Sequence, residues 1–395
     1  MTTETAHQQV RRLILAAGGS GEQIAVAAAE IGAGRTVEIL VDEMVARADL
    51  TEVAGTQTTP IVVQFEVASA DGTVRHTVHA GKVVEHRPGA AEEPHATVAT
   101  SLEWLAQAVY GPHAMKDGQG FAIHWHDLET PERLGTAMHV FPVVRRLVRA
   151  ATHHPVDLGE LSLRQGSDKW GLHYYTPHYE RHFGPLRHRP LVVLELGIGG
   201  FGNPASGGGS LRMWKRFFPR AVFYGVDIFD KAPLREQRIH TVAGDLSNPD
   251  FLASLGADLG PFDVVIDDAS HRSADVIGAF QTLFPYVRSG GLYVVEDLQT
   301  SYWPGYGGGT RLDDPATSMG FLKTLVDDLA HEERCDAGAA GRFAESISGV
   351  HFHRSLAFIE KGVNREGPSP SWIPRQLMTY EEMAAVDWGE GLSGE

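Results

Sequence analysis

Five short apolar runs dominate residues 191–297: L-V-V-L-E-L-G (191–197), A-V-F-Y-G-V-D (221–227), R-I-H-T-V-A-G-D (238–245), D-V-V-I-D-D (263–268) and L-Y-V-V-E-D (292–297). Each is about one strand long and near-continuously apolar, unlike a strand that shows one face to water. Between the last two, Val276, Phe280, Leu283, Phe284 and Val287 mark one face of a helix. Buried strands alternating with helices admit few folds, and the pattern predicts a doubly wound α/β domain with a mostly parallel, Rossmann-like sheet. S-L-A-F-I-E-K (355–361) fits a late sixth strand.

With 395 residues, the chain exceeds one domain. Residues 60–86 alternate apolar and polar side chains around Asp71-Gly72, a hairpin signal, and Gly81 marks the way into a third strand. T-S-L-E-W-L-A-Q-A-V-Y (100–110) predicts a helix opened by a Thr100–Glu103 capping box, and a second helix is expected near 136–152. These features predict an auxiliary α+β domain over 1–155 and the α/β domain over 156–395, divided within H-H-P-V-D-L-G-E (153–160). His124 and His126 would share one face of a strand; they read first as surface or core histidines and only second as a metal pair.

The net charge of −16 disfavours nucleic acid as a partner. No apolar run reaches the ~20 residues that cross a bilayer, and the N-terminus makes a poor signal peptide. Cys335 is the sole cysteine, which leaves no disulfide framework and no thiolate zinc site within one chain. A cytoplasmic protein that binds neither nucleic acid nor membrane is expected.

The five strands bring carboxylates to one rim, the end of the sheet where such folds bind ligands. They are Glu195, Asp227, Asp245, the pair Asp267/Asp268, and the pair Glu296/Asp297. Each alone could serve a turn, but together they ask for a cation. The glycine stretch E-L-G-I-G-G-F-G-N-P-A-S-G-G-G-S (195–210) satisfies G-x-G-x-x-G at Gly197, Gly199 and Gly202. That pattern suits a dinucleotide, or any nucleoside laid against the backbone. Glu195 beside Gly197 faces a pyrophosphate poorly and a cationic ligand well. Asp227 suits a ribose diol and Asp245 an adenine edge; Asp267 joins this cofactor-binding set. A nucleoside with a positive tail and no phosphate is S-adenosylmethionine.

Asp268, Glu296 and Asp297 end adjacent strands, about 5 Å apart. Oxygen donors select a hard cation such as Mg²⁺. His271 is the candidate general base; a metal ligand and a solvated capping residue are the other readings. Base, metal and sulfonium together suit methyl transfer to a hydroxyl. Tyr302 and Trp303, in the Gly-rich T-S-Y-W-P-G-Y-G-G-G-T (300–310), read as aromatic faces of a mobile loop for a sugar or an apolar ring, or else Trp303 anchors the loop in the core.

The segments V-V-I-D-D-A-S-H (264–271), V-V-E-D-L-Q-T-S-Y-W (294–303) and S-D-K-W-G-L-H-Y-Y-T-P-H-Y-E (167–180) together resemble the macrolide-sugar O-methyltransferases. The resemblance implies S-adenosylmethionine, magnesium, a glycosylated macrolide substrate methylated on a deoxysugar 2-hydroxyl, and a homotetramer. It carries the metal role to Asp268, Glu296 and Asp297 and the base role to His271. It also places Ser167 near the cofactor, where capping a helix is the alternative. Two other readings compete: an NAD(P)-dependent oxidoreductase using the Gly197–Gly202 loop, which leaves the acidic cluster idle, and a non-catalytic nucleoside-binding protein.

Overall fold

The computed structural model of the chain describes residues 5–54, 59–112, 120–126, 131–151, 157–334, 340–370, 373 and 375–386. Three helices that the apolar runs did not announce come first: α1 (Ala6–Ala16), α2 (Gly21–Ile31) and α3 (Ala33–Ala48), followed by the single turn α4 (Thr51–Ala54). Their signals are local. Thr5 with Gln8 and Ser20 with Gln23 form capping boxes at the starts of α1 and α2.

Strands β1 (Ile61–Ser69), β2 (Gly72–Ala80), β3 (Val84–Pro88) and β4 (Ala96–Ser101) follow, then α5 (Leu102–Tyr110), β5 (Ala122–Trp125) and α6 (Pro131–Ala150). They build a five-stranded sheet in the order β3-β2-β1-β4-β5. The hairpin turns at Asp71-Gly72 as expected, with Ser69 paired to Gly72. The α5 cap differs from expectation: the helix begins at Leu102, so Ser101, the last residue of β4, is the cap and accepts the Trp104 N–H at 3.1 Å, with Thr100 one residue too early. His126 lies just beyond β5 and its ring meets the Thr97 hydroxyl at 2.8 Å. Among the described residues, neither it nor His124 joins a group of side chains able to hold a metal. Of the expected divide at 153–160, residues 153–156 lie outside the described residues.

The second half runs α7 (Leu158–Gln165), α8 (Thr176–Phe183), β6 (Val192–Leu196), α9 (Gly209–Phe217), β7 (Val222–Asp227), β8 (Ile239–Ala243), α10 (Pro249–Leu259), β9 (Phe262–Asp267), α11 (Ser273–Leu283), β10 (Val287–Val295), α12 (Ser318–Asp328), β11 (Ile347–His353), β12 (Leu356–Lys361) and α13 (Tyr380–Ala384). The seven strands are ordered β11-β12-β10-β9-β6-β7-β8. From β8 to β10 the sheet is parallel, while β12 and β11 are antiparallel. All six expected strands are present. β11 was not foreseen, being an edge strand whose I-S-G-V-H-F-H lacks a continuous apolar run. Strand order reverses between β6 and β9, which makes the crevice above their carboxyl ends the natural ligand site.

One apolar core runs from α1 and the small sheet into β7, β9, β10 and α11 of the large one. A buried ion pair crosses the same boundary. Arg238, at the entry to β8, grips Glu43 of α3 with two nitrogens, at 2.9 and 2.6 Å. Its remaining N–H groups donate to the carbonyls of Lys215, Phe218 and Ala221. Burial alone would push Glu43 up, but Arg238 and Arg47 hold it well below the ordinary carboxylate range. Such a pair tolerates neither partner alone.

His7 of α1 seals the other side of this boundary. Its ring packs edge-on to His240 at 3.8 Å and tilted to Tyr224 at 4.9 Å, and both nitrogens are buried without a hydrogen-bond partner among the described residues. Burial, then His240 and Arg11, lower His7 from 6.5 to about 3. The folded state therefore binds this proton less readily than the unfolded chain, and the stability His7 contributes is full above pH 6.5 and lost as pH falls towards 3. Urea midpoints measured from pH 7.5 down to 4 are expected to fall, and the fall is expected to be shallower in His7→Phe, which cannot take the proton.

Candidate active site

Lys169 is fully buried at the carboxyl end of the sheet, in the segment between α7 and α8. Its ammonium donates to Asp268 Oδ2 at 2.8 Å, lies 2.6 Å from Glu296 Oε1, and is 3.9 Å from Glu195 Oε1. Burial works against the charge, but the three carboxylates outweigh it and hold Lys169 protonated well above the ordinary lysine range. The Tyr179 hydroxyl of α8 adds a short hydrogen bond to Glu296 Oε1. Burial pushes Glu195 up to about 7, against the pull of Lys169. Glu195, expected to face a cationic ligand, already has a cation beside it. It is fully buried beneath the rim against the Trp214 indole, and the cation it meets is the chain's own.

Beyond the lysine, Asp268, His271 and Asp297 come together, with one ligand atom from each within 4.8 Å of the others. His271 Nε2 is 3.5 Å from Asp297 Oδ2. Both residues have left-handed backbones, φ 56° for His271 and 51° for Asp297, a conformation that costs a non-glycine residue and clusters at functional sites. The Thr300 hydroxyl ties the two loops, its one proton shared between the carbonyls of His271 at 2.9 Å and Asp297 at 2.8 Å. Burial raises Asp297, but the Tyr175 hydroxyl at 2.7 Å, His271 and His173 bring it below the ordinary carboxylate range. Of the three expected metal ligands, Asp268 and Asp297 thus share one group with His271. Glu296 borders it through Lys169.

The glycine loop sits directly against this group. Gly197 has φ 92°, and a Cβ there would lie 2.1 Å from the Asp268 carbonyl oxygen, so only glycine lets the ends of β6 and β9 approach this closely. The loop does not open into a helix before Gly209. Asp227 accepts the N–H groups of Ile198 and Phe229, each at 3.0 Å, fixing the loop while each oxygen keeps a free lone pair. Asp245 is exposed and closes a turn with Ser247. Ser167 follows α7 rather than capping a helix start, and its Oγ accepts the Lys169 N–H at 3.4 Å. Asp267 is buried away from the lysine, 3.4 Å from the Tyr293 hydroxyl, and burial with Asp268 beside it raises it to about 7. Tyr302 and Trp303 are exposed by 43% and 48%, so Trp303 is no core anchor. Their segment is a pair of hydrogen-bonded 3-10 turns immediately after Asp297.

Of residues 167–180, only Ser167 stood out from the sequence as a site residue. Lys169, His173, Tyr175 and Tyr179 all converge on the strand-end carboxylates. The signal was available as a lone lysine amid aromatics, just before the first buried strand of an acidic chain. A glycine loop at the reversal of strand order, a carboxylate–imidazole group and exposed aromatic faces can together bind a cofactor, hold a cation and take a proton from a hydroxyl.

Comparison with known proteins accords with this geometry. Residues 10–120 match the family described as MycE methyltransferase N-terminal. The chain is 45% identical over 364 residues to 8-demethyl-8-alpha-L-rhamnosyl tetracenomycin-C 2'-O-methyltransferase of Streptomyces olivaceus, covering 90% of this chain and 96% of that one. It is 42% identical to demethylmacrocin O-methyltransferase of Streptomyces fradiae, covering 93% and 95%. Among solved structures, MycE methyltransferase from the mycinamycin biosynthetic pathway in complex with Mg, SAH and mycinamycin VI superposes with a TM-score of 0.85 at 34% identity, covering 96% and 99%.

Replacing Lys169 by methionine removes the cation from three carboxylates in a water-excluded site. Lys169→Met is expected to destabilise the fold by about 3–5 kcal/mol at pH 7.5, the range for breaking a buried ion pair from one side. Urea unfolding followed by circular dichroism measures it, and a loss under about 1 kcal/mol would mean the carboxylates do not depend on the lysine.

Proposed function

The chain belongs to the O-methyltransferases of antibiotic sugars, and from that premise we propose that it moves the S-adenosylmethionine methyl group to a deoxysugar hydroxyl of a glycosylated macrolide, with magnesium as the metal. The single observation that carries this reading is the convergence of Asp268, His271 and Asp297 beside the glycine loop. The relatives' methyltransferase activity sets aside the nicotinamide and non-catalytic readings. The 2-hydroxyl is the favoured acceptor, since the relative of 45% identity is a 2'-O-methyltransferase.

The residues present fit the metal. Asp268 Oδ1 and Glu296 Oε2 carry no hydrogen bond among the described residues, and the donor set is oxygen-rich with one imidazole. Asp268, Glu296 and Asp297 are the residues that would hold magnesium. Bound there, it would acidify and orient the sugar hydroxyl. Gly197 and its loop support the nucleoside, and Asp227 accepts from the ribose. Asp297 orients the His271 ring, which is partly open to solvent, and His271 Nε2 takes the hydroxyl proton as the oxygen attacks the methyl carbon in line with the departing sulfur. Positioning supplies much of the acceleration. Tyr302 and Trp303 offer their faces to the sugar or the macrolide ring. The proposed assembly is a cytoplasmic homotetramer.

Incubation with labelled S-adenosylmethionine and a panel of demethylated glycosides, spanning macrolides and rhamnosyl tetracenomycins, read by mass spectrometry, tests the reading. Chelator is expected to abolish methyl transfer and magnesium to restore it; full activity in chelator would reject the metal. His271→Ala is expected to retain cofactor binding by calorimetry while turnover drops by about 10²–10⁴-fold, the usual range for a general base.

A further inference from the structure

A second group of metal-ligating side chains lies where α8 packs on the outer strands of the large sheet. His351 and His353 are two residues apart on β11 and share a face. Glu360 of β12 stands directly opposite Gly349 on that same face. His178 and His182, four apart on α8, look onto it, with His178 stacked on His353 at 3.9 Å and His182 stacked on Phe358 at 4.0 Å. His351 Nε2 is 2.9 Å from Glu360 Oε1, and one ligand atom from each of His182, His351 and Glu360 lies within 4.8 Å of the other two. His353 borders the group, its Nε2 3.2 Å from that of His182.

A second observation concerns the space between these groups. The β11–β12 ladder shifts register between Ile347 and Gly349. A Cβ at Gly349 would lie 2.9 Å from Glu360 Oε2 and 3.3 Å from His351 Nε2. Glycine therefore keeps open the hollow onto which the carboxylate and the imidazole face.

We propose that His182, His351 and Glu360 form a second metal site, for a divalent transition ion of the zinc type. Two imidazoles and one carboxylate are the donors of zinc sites and suit magnesium poorly. The strand-end group is dominated by carboxylates, so the two sites take different ions. An ion here ties α8 to β11 and β12, and α8 also presents Tyr179 to Glu296. The site thus braces the helix that supports the catalytic carboxylates without touching substrate.

The test uses tag-free, full-length protein stripped with chelator and then given excess magnesium. Zinc titrated by calorimetry is expected to bind once per chain with sub-micromolar affinity and to raise the melting temperature. His351→Ala and Glu360→Gln, both partly exposed on the edge strands, are each expected to weaken zinc by about tenfold or more, to abolish the zinc-dependent rise in melting temperature, and to keep magnesium-supported methyl transfer. His271→Ala is expected to bind zinc as the unaltered protein does. Zinc uptake unchanged in both His351→Ala and Glu360→Gln, or lost in His271→Ala, would overturn the proposal.

Discussion

The ammonium of Lys169 is the charge on which the reactive end of this protein depends. Three carboxylates from β6, the β9 loop and the end of β10 crowd towards it inside the sheet's crevice. Without a cation among them, burial and mutual repulsion would drive the Glu195 and Glu296 carboxyls further towards the neutral form. With it, Asp268 and Glu296 are held in place from one side, and the oxygens left over face the region where Asp297 and His271 converge. The arrangement keeps the acidic crevice folded before any ligand arrives. It also sets the local charge against which a divalent metal and a sulfonium must bind.

The parallel strands were legible because burial on both faces leaves an uninterrupted apolar signature. Their carboxyl-end acids were legible for the same reason, being the first polar residues after each run. Edge strand β11 was not, since one of its faces is wet and its histidines break the apolar pattern. The N-terminal helices hid behind small residues, and only the Thr5–Gln8 and Ser20–Gln23 capping boxes announce their starts. Lys169 was visible as a lone lysine amid aromatics, but its role was not. Its burial depends on partners far along the chain, Asp268 and, further still, Glu296, and no local pattern records contacts that only the fold creates. Glu195 shows the converse: a well-placed rim acid whose partner turned out to be internal.

Strain and order concentrate in the same place. His271 and Asp297 adopt left-handed backbones, and the Thr300 hydroxyl clamps both carbonyls. Tyr175 reaches from the start of α8 to fix the Asp297 carboxylate. The site is therefore assembled from one pre-sheet segment and two strand-end loops, each correcting the freedom of the others, which is the preorganisation that positioning-based catalysis requires.

The clasp between Arg238 and Glu43 has a consequence for protein engineering. Because α3 supplies the only carboxylate that meets this guanidinium among the described residues, the α/β half is not an autonomous cassette. A chimera that swaps the leading segment between relatives must transplant the arginine and its acidic mate as one unit, or inherit a stranded positive charge at the seam.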